Sequence, residues 1–523
     1  LREKRAMTHH TENDRHPPTG SIPLWMSGRR PSVFPSLSED EEADVCIVGA
    51  GITGLTLAYL LSATHRVIVL EKDFVGAGDT GRSSAHITRV LDSDYGALAK
   101  RFGEEGARTA ALAHGAAIDL IERIVSEESI ACDFARLDGY VVGEPGEDEK
   151  KLEGMRAGAA RAGIDDATLE SPAPFEAPRA GPCLRFPRQA SFDPWRYVNG
   201  LAEAVKRRGG VIRTHTPVVQ WSKGPQATVE TARGPLVRAS AVVLATHAPL
   251  GGRPGIHARL EAYRTYVIAG VLPKDVAPLA LAWDTGSPYH YVRTAPRGER
   301  DVFLIVGGED HRTGSGDESA ERYARLERWA RERFPSLGAI EHCWSGQVFE
   351  PAGGLGFAGP AGDKVKELYA TGHSGNGITH GTLSAILLSS LLSEGAHDWT
   401  SVFDPSRVKL DDAIEVAKQG AATVAGLGER LKGEELESSD QVRPGEAAVV
   451  GKGSSRLAVY REPDGKLWEC SALCSHMGCV VHWNSAERSW DCPCHGSRFD
   501  VTGHVLEGPA MKDLTPADRA HAR

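Results

Sequence analysis

No stretch of the chain approaches the roughly 18 consecutive apolar residues that a membrane-spanning helix needs, so no transmembrane segment is expected. Positive charge is also short: 60 Lys and Arg stand against 70 Asp and Glu, a formal net charge of −10. That balance gives no electrostatic case for nucleic acid or an anionic membrane surface as partner. The stretch "LREKRAMTHHTENDRHPPTG" at the N-terminus carries no apolar h-region. No secretory signal is read there, and a cytoplasmic location is expected. Cysteine is thin over most of the chain. Cys46, Cys132, Cys183 and Cys343 are scattered, whereas Cys470, Cys474, Cys479, Cys492 and Cys494 crowd the C-terminal part. In a chain without an export signal, such crowding favours metal or redox chemistry over a disulfide scaffold. At 523 residues the chain is too long for one core, and two or more domains are expected.

The segment "ADVCIVGAGITGLTLAYLLSATHRVIVLEK" opens with an apolar strand and a glycine turn, Gly49, Gly51 and Gly54 in GxGxxG spacing. A helix of small and apolar residues follows, then a second strand, "RVIVLE", that closes on Glu71. This is the pattern of a Rossmann βαβ unit. The first glycine permits a tight turn, the second lets a pyrophosphate approach the backbone at the helix N-terminus, and the third lets helix and strand pack closely. The terminal acid can accept the adenosine ribose hydroxyls. A dinucleotide is therefore expected at Gly49, Gly51, Ile52, Thr53, Gly54, Glu71 and Lys72.

The same fingerprint serves NAD and FAD. Two further segments decide for FAD: "GAGDTGRSSAHIT" just after Glu71, and "LYATGHSGNGITHGTLSAILLSSLL" some 300 residues on, a strand, a glycine-rich turn and a long apolar helix. The pair resembles the D-amino-acid-oxidase-like (DAO) family of flavoproteins. The resemblance runs roughly from Asp44 to Pro405. It implies that Thr80, Gly81, Arg82 and Ser83 wrap the pyrophosphate. It also implies that Gly372, Gly375, Asn376, Gly377, Ile378 and Thr379 meet the ribityl chain and ring, and that Val218 meets the adenine side. Relatives with covalent flavin often carry His where this chain has Arg82, so FAD is expected to be non-covalent. Many relatives read DGLPxIG where this chain has "AGGLGFAG". No second GxGxxG unit with strand and acid is found, so no NADH site is expected.

After about Asp404 the composition changes to a charged stretch with one amphipathic helix, read as a connector. Alternating apolar and polar residues with turns at Gly451-Lys452-Gly453 and Pro463-Asp464-Gly465 then indicate short antiparallel strands. "CSHMGCVVHW" and "WDCPCHGSRFD" follow. Cys474-x-His476 and Cys492-x-x-His495 form two loops, each with one thiolate and one imidazole. Zinc is the alternative, but its loops usually present CxxC or HxxxH pairs to a single ion. One thiolate and one imidazole per loop suit two irons, with both cysteines on one and both histidines on the other. With Gly478, Gly496, Ser497 and a "LEGPA" loop, the region resembles Rieske [2Fe–2S] domains. "CSHMGC" and "CPCHGS" are similar to the high-potential Rieske proteins of cytochrome bc complexes. That resemblance implies a Cys479–Cys494 disulfide, free thiols being the alternative. It also implies a serine donor to the cluster at Ser497. Phe499 stands where those proteins have tyrosine, so a potential below theirs is expected.

The expected architecture is a Rossmann-type α/β FAD-binding domain with a mixed α+β substrate domain, plus a small all-β C-terminal Rieske domain. Residues 1–40 are expected to form a flexible tail. The flavoprotein spans 41–405, with FAD parts near 41–98, 188–258 and 345–400 and substrate parts near 99–187 and 259–344. A helical connector covers 406–440 and the Rieske domain 441–523. A flavin takes electrons in pairs and a [2Fe–2S] cluster carries one at a time. The pairing points to a dehydrogenase acting on a C–N bond of an amine or amino acid, with a protein or quinone as external acceptor. An O2-using oxidase with an accessory cluster, or a non-catalytic redox sensor, are the alternatives. Candidate substrate residues are Arg293, which could grip a carboxylate, Tyr291 beside it, and His311 as acid or base.

Overall fold

The structure is a computed structural model describing residues 21–144, 146, 148–173, 181–222, 226–251, 254–316, 319–362, 367–407, 412–429 and 436–517. The strand Glu41–Val48 sits centrally in a parallel sheet, between Val67–Leu70 and Leu236–Leu244. Val211–Arg213 and Glu367–Thr371 extend the sheet on either side, also in parallel. Parallel strands covered on both faces read as unbroken apolar runs, and Val67–Leu70 is buried at every residue. The helices Ile52–Leu61 and Gly377–Ser393 pack together on this sheet. Gly381 makes the contact close: a Cβ there would lie 2.6 Å from the Thr53 hydroxyl.

A second, mostly antiparallel sheet carries the long strands Leu260–Pro273, Asp301–Arg312 and Ile340–Pro351 with His290–Pro296, Leu281–Asp284, Ala135–Val142 and Cys183–Ser191. It takes residues from ranges expected to serve FAD. Leu260 to Gly270 pairs with Pro351 to Ile340, so residues 345–351 lie in this sheet. His86–Ile87 joins its far edge against Ser191 and Ala190. Both ranges expected to serve FAD thus contribute strands to the second sheet.

The expected flexible tail needs correcting. Residues 1–20 lie outside the described residues, but 21–40 are built into the body. Trp25 is buried and its indole donates to the Ser83 carbonyl at 2.8 Å. Phe34 and Leu37 are buried, and the Leu37 N–H donates to the Thr216 hydroxyl at 3.1 Å. The polar composition of the stretch hid these apolar anchors.

The C-terminal unit has two small antiparallel sheets, Ala447–Val450, Leu457–Arg461, Leu467–Ser471 and His482–Asn484, Ser489–Asp491, Arg498–Phe499, Val505–Glu507. The connector helix Asp412–Gly428 is packed rather than free. Gln419 donates to the Cys494 carbonyl at 2.9 Å. A Cβ on Gly426 would lie 2.7 Å from the Cys494 sulfur. No helix among the described residues is long and apolar enough to cross a membrane.

Candidate flavin cavity and cluster site

A cavity of about 1250 Å³ runs from the glycine turn to the second sheet. Gly49, Gly51, Ile52, Thr53, Glu71, Lys72, Thr80, Arg82, Ser83, Val218, Gly375, Asn376, Gly377 and Ile378 line it. The turn fits a closely approaching pyrophosphate. A Cβ on Gly49 would lie 2.4 Å from the Ala245 carbonyl oxygen, at a φ of +107° that favours glycine. Thr80 accepts the Ile52 N–H at 3.1 Å at the helix N-terminus. Glu71 accepts from Ala50 at 2.8 Å and from Asp73 at 3.0 Å, so it braces the glycine loop as well as facing the cavity. Burial raises its pKa against those N–H donors.

Four expected contacts lie behind this wall. Gly54 packs on the Gly49 carbonyl, and a Cβ there would come within 2.0 Å of it. Gly81 packs against Met26 and the Gly76 carbonyl, and Gly372 against Leu260. Thr379 accepts the Thr88 N–H at 3.0 Å. Each holds the elements that shape the cavity without facing it.

The catalytic candidates divide. Tyr291 lines the cavity; its hydroxyl is 3.0 Å from that of Thr265. Gly307 on the neighbouring strand makes room for it, since a Cβ there would fall 2.0 Å from the Tyr291 ring. Arg293 is corrected: it is 2% exposed and outside the lining. Its Nη1 donates to the carbonyls of Ser84, Ala85 and Phe192 at 2.8, 2.9 and 3.1 Å, which leaves it holding chain segments together. His311 is corrected too. It stacks on Tyr266 at 5.7 Å, and its neighbour Asp310 faces the cavity instead, as strand alternation requires.

Sequence reasoning missed the acids. Asp92, Asp310 and Glu350 line one end of the cavity with Trp283, Tyr289 and Tyr291. The Ser374 hydroxyl lies 2.8 and 2.7 Å from the two Glu350 oxygens and also contacts Asp92. Burial first, then the Asp92 charge, pushes Glu350 up to about 8. Burial likewise pushes Asp310 up to about 6. These residues come from separate loops and strands, so no local motif marks them.

The Ile340–Pro351 strand also touches the cluster site, where its Gln347 donates to the Gly496 carbonyl at 2.9 Å. Cys474, Cys492 and His495 are buried and His476 is half-buried. The His476 and His495 rings are 5.1 Å apart. Cys492 lowers the Cys474 thiol pKa against burial, with the His476 and Met477 N–H groups and the Ser497 hydroxyl adding to it. Among the described residues the buried Nδ1 of His495 meets no hydrogen-bond partner. Two adjoining thiols and two facing imidazoles with a bare ring nitrogen suit a diiron cluster. Cys479 and Cys494 are joined by a disulfide across the two loops. His257, on the short helix Pro254–His257 of the flavin-binding part, faces both histidines at 4.9 and 5.5 Å between centroids. Nothing in its local sequence marked it.

The two parts are tied through buried charge. Arg82, from the segment after Glu71, and Arg264, from the strand Leu260–Pro273, face Glu487 at 3.7 and 3.8 Å. Arg498 reaches Glu507 at 2.6 Å, Asp491 at 3.0 Å and Glu487 at 3.7 Å. Ser21, from the stretch expected to be mobile, donates to Glu487 at 2.6 Å.

These features define a flavoprotein carrying a Rieske centre: the chain belongs to the FAD-dependent oxidoreductase (DAO) family, whose model matches residues 44–391, and carries a Rieske [2Fe–2S] domain over 434–517. It is an oxidoreductase that uses FAD and a [2Fe–2S] cluster. It is 32% identical over 503 residues to YhfW of Bacillus subtilis (strain 168), named for a Rieske 2Fe-2S centre, covering 94% of this chain and 97% of that one. Gamma-glutamylputrescine oxidoreductase of Escherichia coli (strain K12) is 26% identical over 70% of this chain and 87% of its own. Among solved structures, glycine oxidase from Geobacillus kaustophilus superposes with a TM-score of 0.59 at 19% identity, over 71% of this chain and 100% of that one.

Proposed function

We propose that the protein is a cytoplasmic dehydrogenase that oxidises a C–N bond of a cationic amine and releases the electrons singly through the cluster to an external protein or quinone. The observation that carries the electron route is Gln347. It lines the cavity, and its side chain donates to the Gly496 carbonyl beside the cluster residue His495 at 2.9 Å. One residue therefore separates the flavin cavity from the cluster loop. In this reading Gly49, Gly51, Glu71, Lys72, Thr80 and the Gly375–Ile378 turn hold FAD non-covalently, and Cys474, His476, Cys492 and His495 hold the cluster.

Bound flavin supplies a two-electron acceptor for the substrate carbon. The chain's own part is to bind and orient. Asp92, Asp310 and Glu350 offer negative charge to an ammonium group, and Trp283, Tyr289 and Tyr291 offer aromatic faces that favour a cation. The arginine expected to take a carboxylate is spent on carbonyls. Both points favour an amine over an amino acid. The names of two relatives, gamma-glutamylputrescine oxidoreductase and glycine oxidase, support amine or amino-acid chemistry in general.

The test is anaerobic flavin bleaching against a panel of amines and amino acids, followed by EPR of the cluster. Bleaching by an amine with a growing reduced-cluster signal is expected. A bleached flavin beside a cluster that stays oxidised sinks the electron route, and peroxide formation in air faster than cluster reduction indicates an oxidase.

A further inference from the structure

The flavin cavity is not enclosed by the flavin-binding part alone. Val505, Leu506, Glu507 and Gly508 of the Rieske domain line it, as do Met511 and Lys512. They stand at one particular end. Lys72 donates from Nζ to the Val505 carbonyl at 3.3 Å and also to that of Leu506. Gly508 abuts the loop of Ala248 and Leu250, where a Cβ would come within 2.9 Å of the Leu250 side chain. Both of those loop residues line the cavity as well. Glu71 and Lys72 close the second strand of the βαβ unit, where the fold puts the adenosine ribose.

The segment is also fastened to the cluster frame from behind. The Ala510 N–H donates to the hydroxyl of Ser497, two residues from His495, at 3.0 Å. The Ser475 hydroxyl donates to the Lys512 carbonyl, one residue from Cys474. Glu507 is pinned by Arg498 at 2.6 Å and faced by Arg264 at 3.7 Å. One short stretch of chain thus has a wall of the cavity on one side and the cluster loops on the other.

We propose that Val505–Lys512 is part of the FAD site, supplying the outer wall of the adenosine diphosphate end, so that the Rieske domain and the flavin-binding part hold one FAD between them. Leu506 contributes apolar cover and Lys512 a positive charge to the same wall. The resemblance assigned the "LEGPA" loop to the cluster; the structure gives the same loop a second face. By linkage, whatever undocks the Rieske domain loosens FAD, and FAD favours the docked domain by the same factor. None of this depends on which substrate is oxidised.

The test uses the full-length holoprotein with Leu506→Ala and Lys512→Ala. FAD release is followed by the rise of flavin fluorescence on dilution, and ADP is used to compete with FAD rebinding. Cluster absorption and EPR report that the Rieske domain is intact. Each variant is expected to weaken FAD and ADP alike, about tenfold (about 1.4 kcal/mol), with the cluster signal unchanged. Val424→Ser, on the exposed face of the connector helix and outside the cavity, is the control and should leave FAD binding as it is. The proposal is overturned if both variants bind FAD as tightly as the parent, if FAD weakens while ADP does not, or if the control loosens FAD equally.

Discussion

Gln347 and Gly496 are joined across the domain boundary by a 2.9 Å hydrogen bond from the glutamine amide to the glycine carbonyl. The same amide accepts from the Thr313 hydroxyl at 3.0 Å, and the Gln347 N–H donates to Asp79 at 2.7 Å. Gln347→Leu leaves buried polar groups without partners, at a cost of about 1–3 kcal/mol. A lower unfolding midpoint is expected, together with slower cluster reduction at unchanged flavin bleaching. Rapid mixing with EPR sampling measures both. Unchanged cluster reduction would remove Gln347 from the route.

The interface charges carry an acid limit. Burial alone raises Glu487, but Arg82, Arg264 and Arg498 together hold it down to about 2. Glu507 is likewise held to about 2, burial being outweighed by Arg498, Arg264 and Arg82. A carboxylate depressed in the folded state contributes stability that is full above its ordinary value of 4.5 and lost as pH falls toward 2. Glu487→Gln should cost about 3–5 kcal/mol near neutrality, because it strands buried arginines, and should flatten the acid limb. Denaturant titrations at several pH values read this directly.

At the substrate end the sign reverses. Burial raises Glu350 to about 8, so the folded chain binds a proton there that the unfolded chain releases near 4.5. Stability without substrate should therefore fall as pH rises from 4.5 toward 8, and Glu350→Gln should remove the part of that fall above about pH 6, where Asp310 no longer contributes. A cationic substrate needs the carboxylates ionised. kcat/KM for the amine should rise through the ranges of Asp310 and Glu350, from about 6 to about 8. In Glu350→Gln the upper part of that rise should vanish, with kcat/KM down about tenfold. A profile identical to the parent's removes Glu350 from substrate binding.

The disulfide closes a loop of 15 residues between the cluster loops. Replacing both Cys479 and Cys494 by Ser should cost about 3 kcal/mol through the freer unfolded chain. Gly426→Val tests the connector helix from outside, because its Cβ would press on the Cys494 sulfur. Overpacking of about 1–3 kcal/mol is expected. Thermal melts with cluster absorbance as the signal separate loss of the cluster from loss of the fold.

Much of the fold was legible because its signals are local. Gly49 to Glu71 carries strand, turn, helix and acid within one short stretch, and the two Cys/His loops carry the pattern of the Rieske domain in their spacing. What lay outside that reach is assembled from distant segments. Asp92, Glu350 and Ser374 meet only because the Ile340–Pro351 strand joins the second sheet and brings Glu350 beside the glycine-rich turn. Arg293 looked free to bind a substrate because its sequence neighbours are aromatic and small, yet the strand turns it inward toward three carbonyls. His257 lies on a four-residue helix with no periodicity to mark it, and only tertiary packing puts it against His476 and His495. Ser21 and Trp25 sit in a polar, proline-containing stretch whose few apolar residues did not outweigh its composition.

The seating of the connector helix on Cys494 bears on kinetics. A carrier on a loose tether meets its donor at a rate set by linker length and by the ionic atmosphere around both charged surfaces. A carrier wedged in place by Gly426, Gln419 and the buried arginines has no such search to make. Transfer between the two centres of this chain would then be first order, indifferent to dilution and to added salt up to the concentration that parts the interface. On the proposed route, the search, with its sensitivity to salt and crowding, is left to the encounter with an outside acceptor.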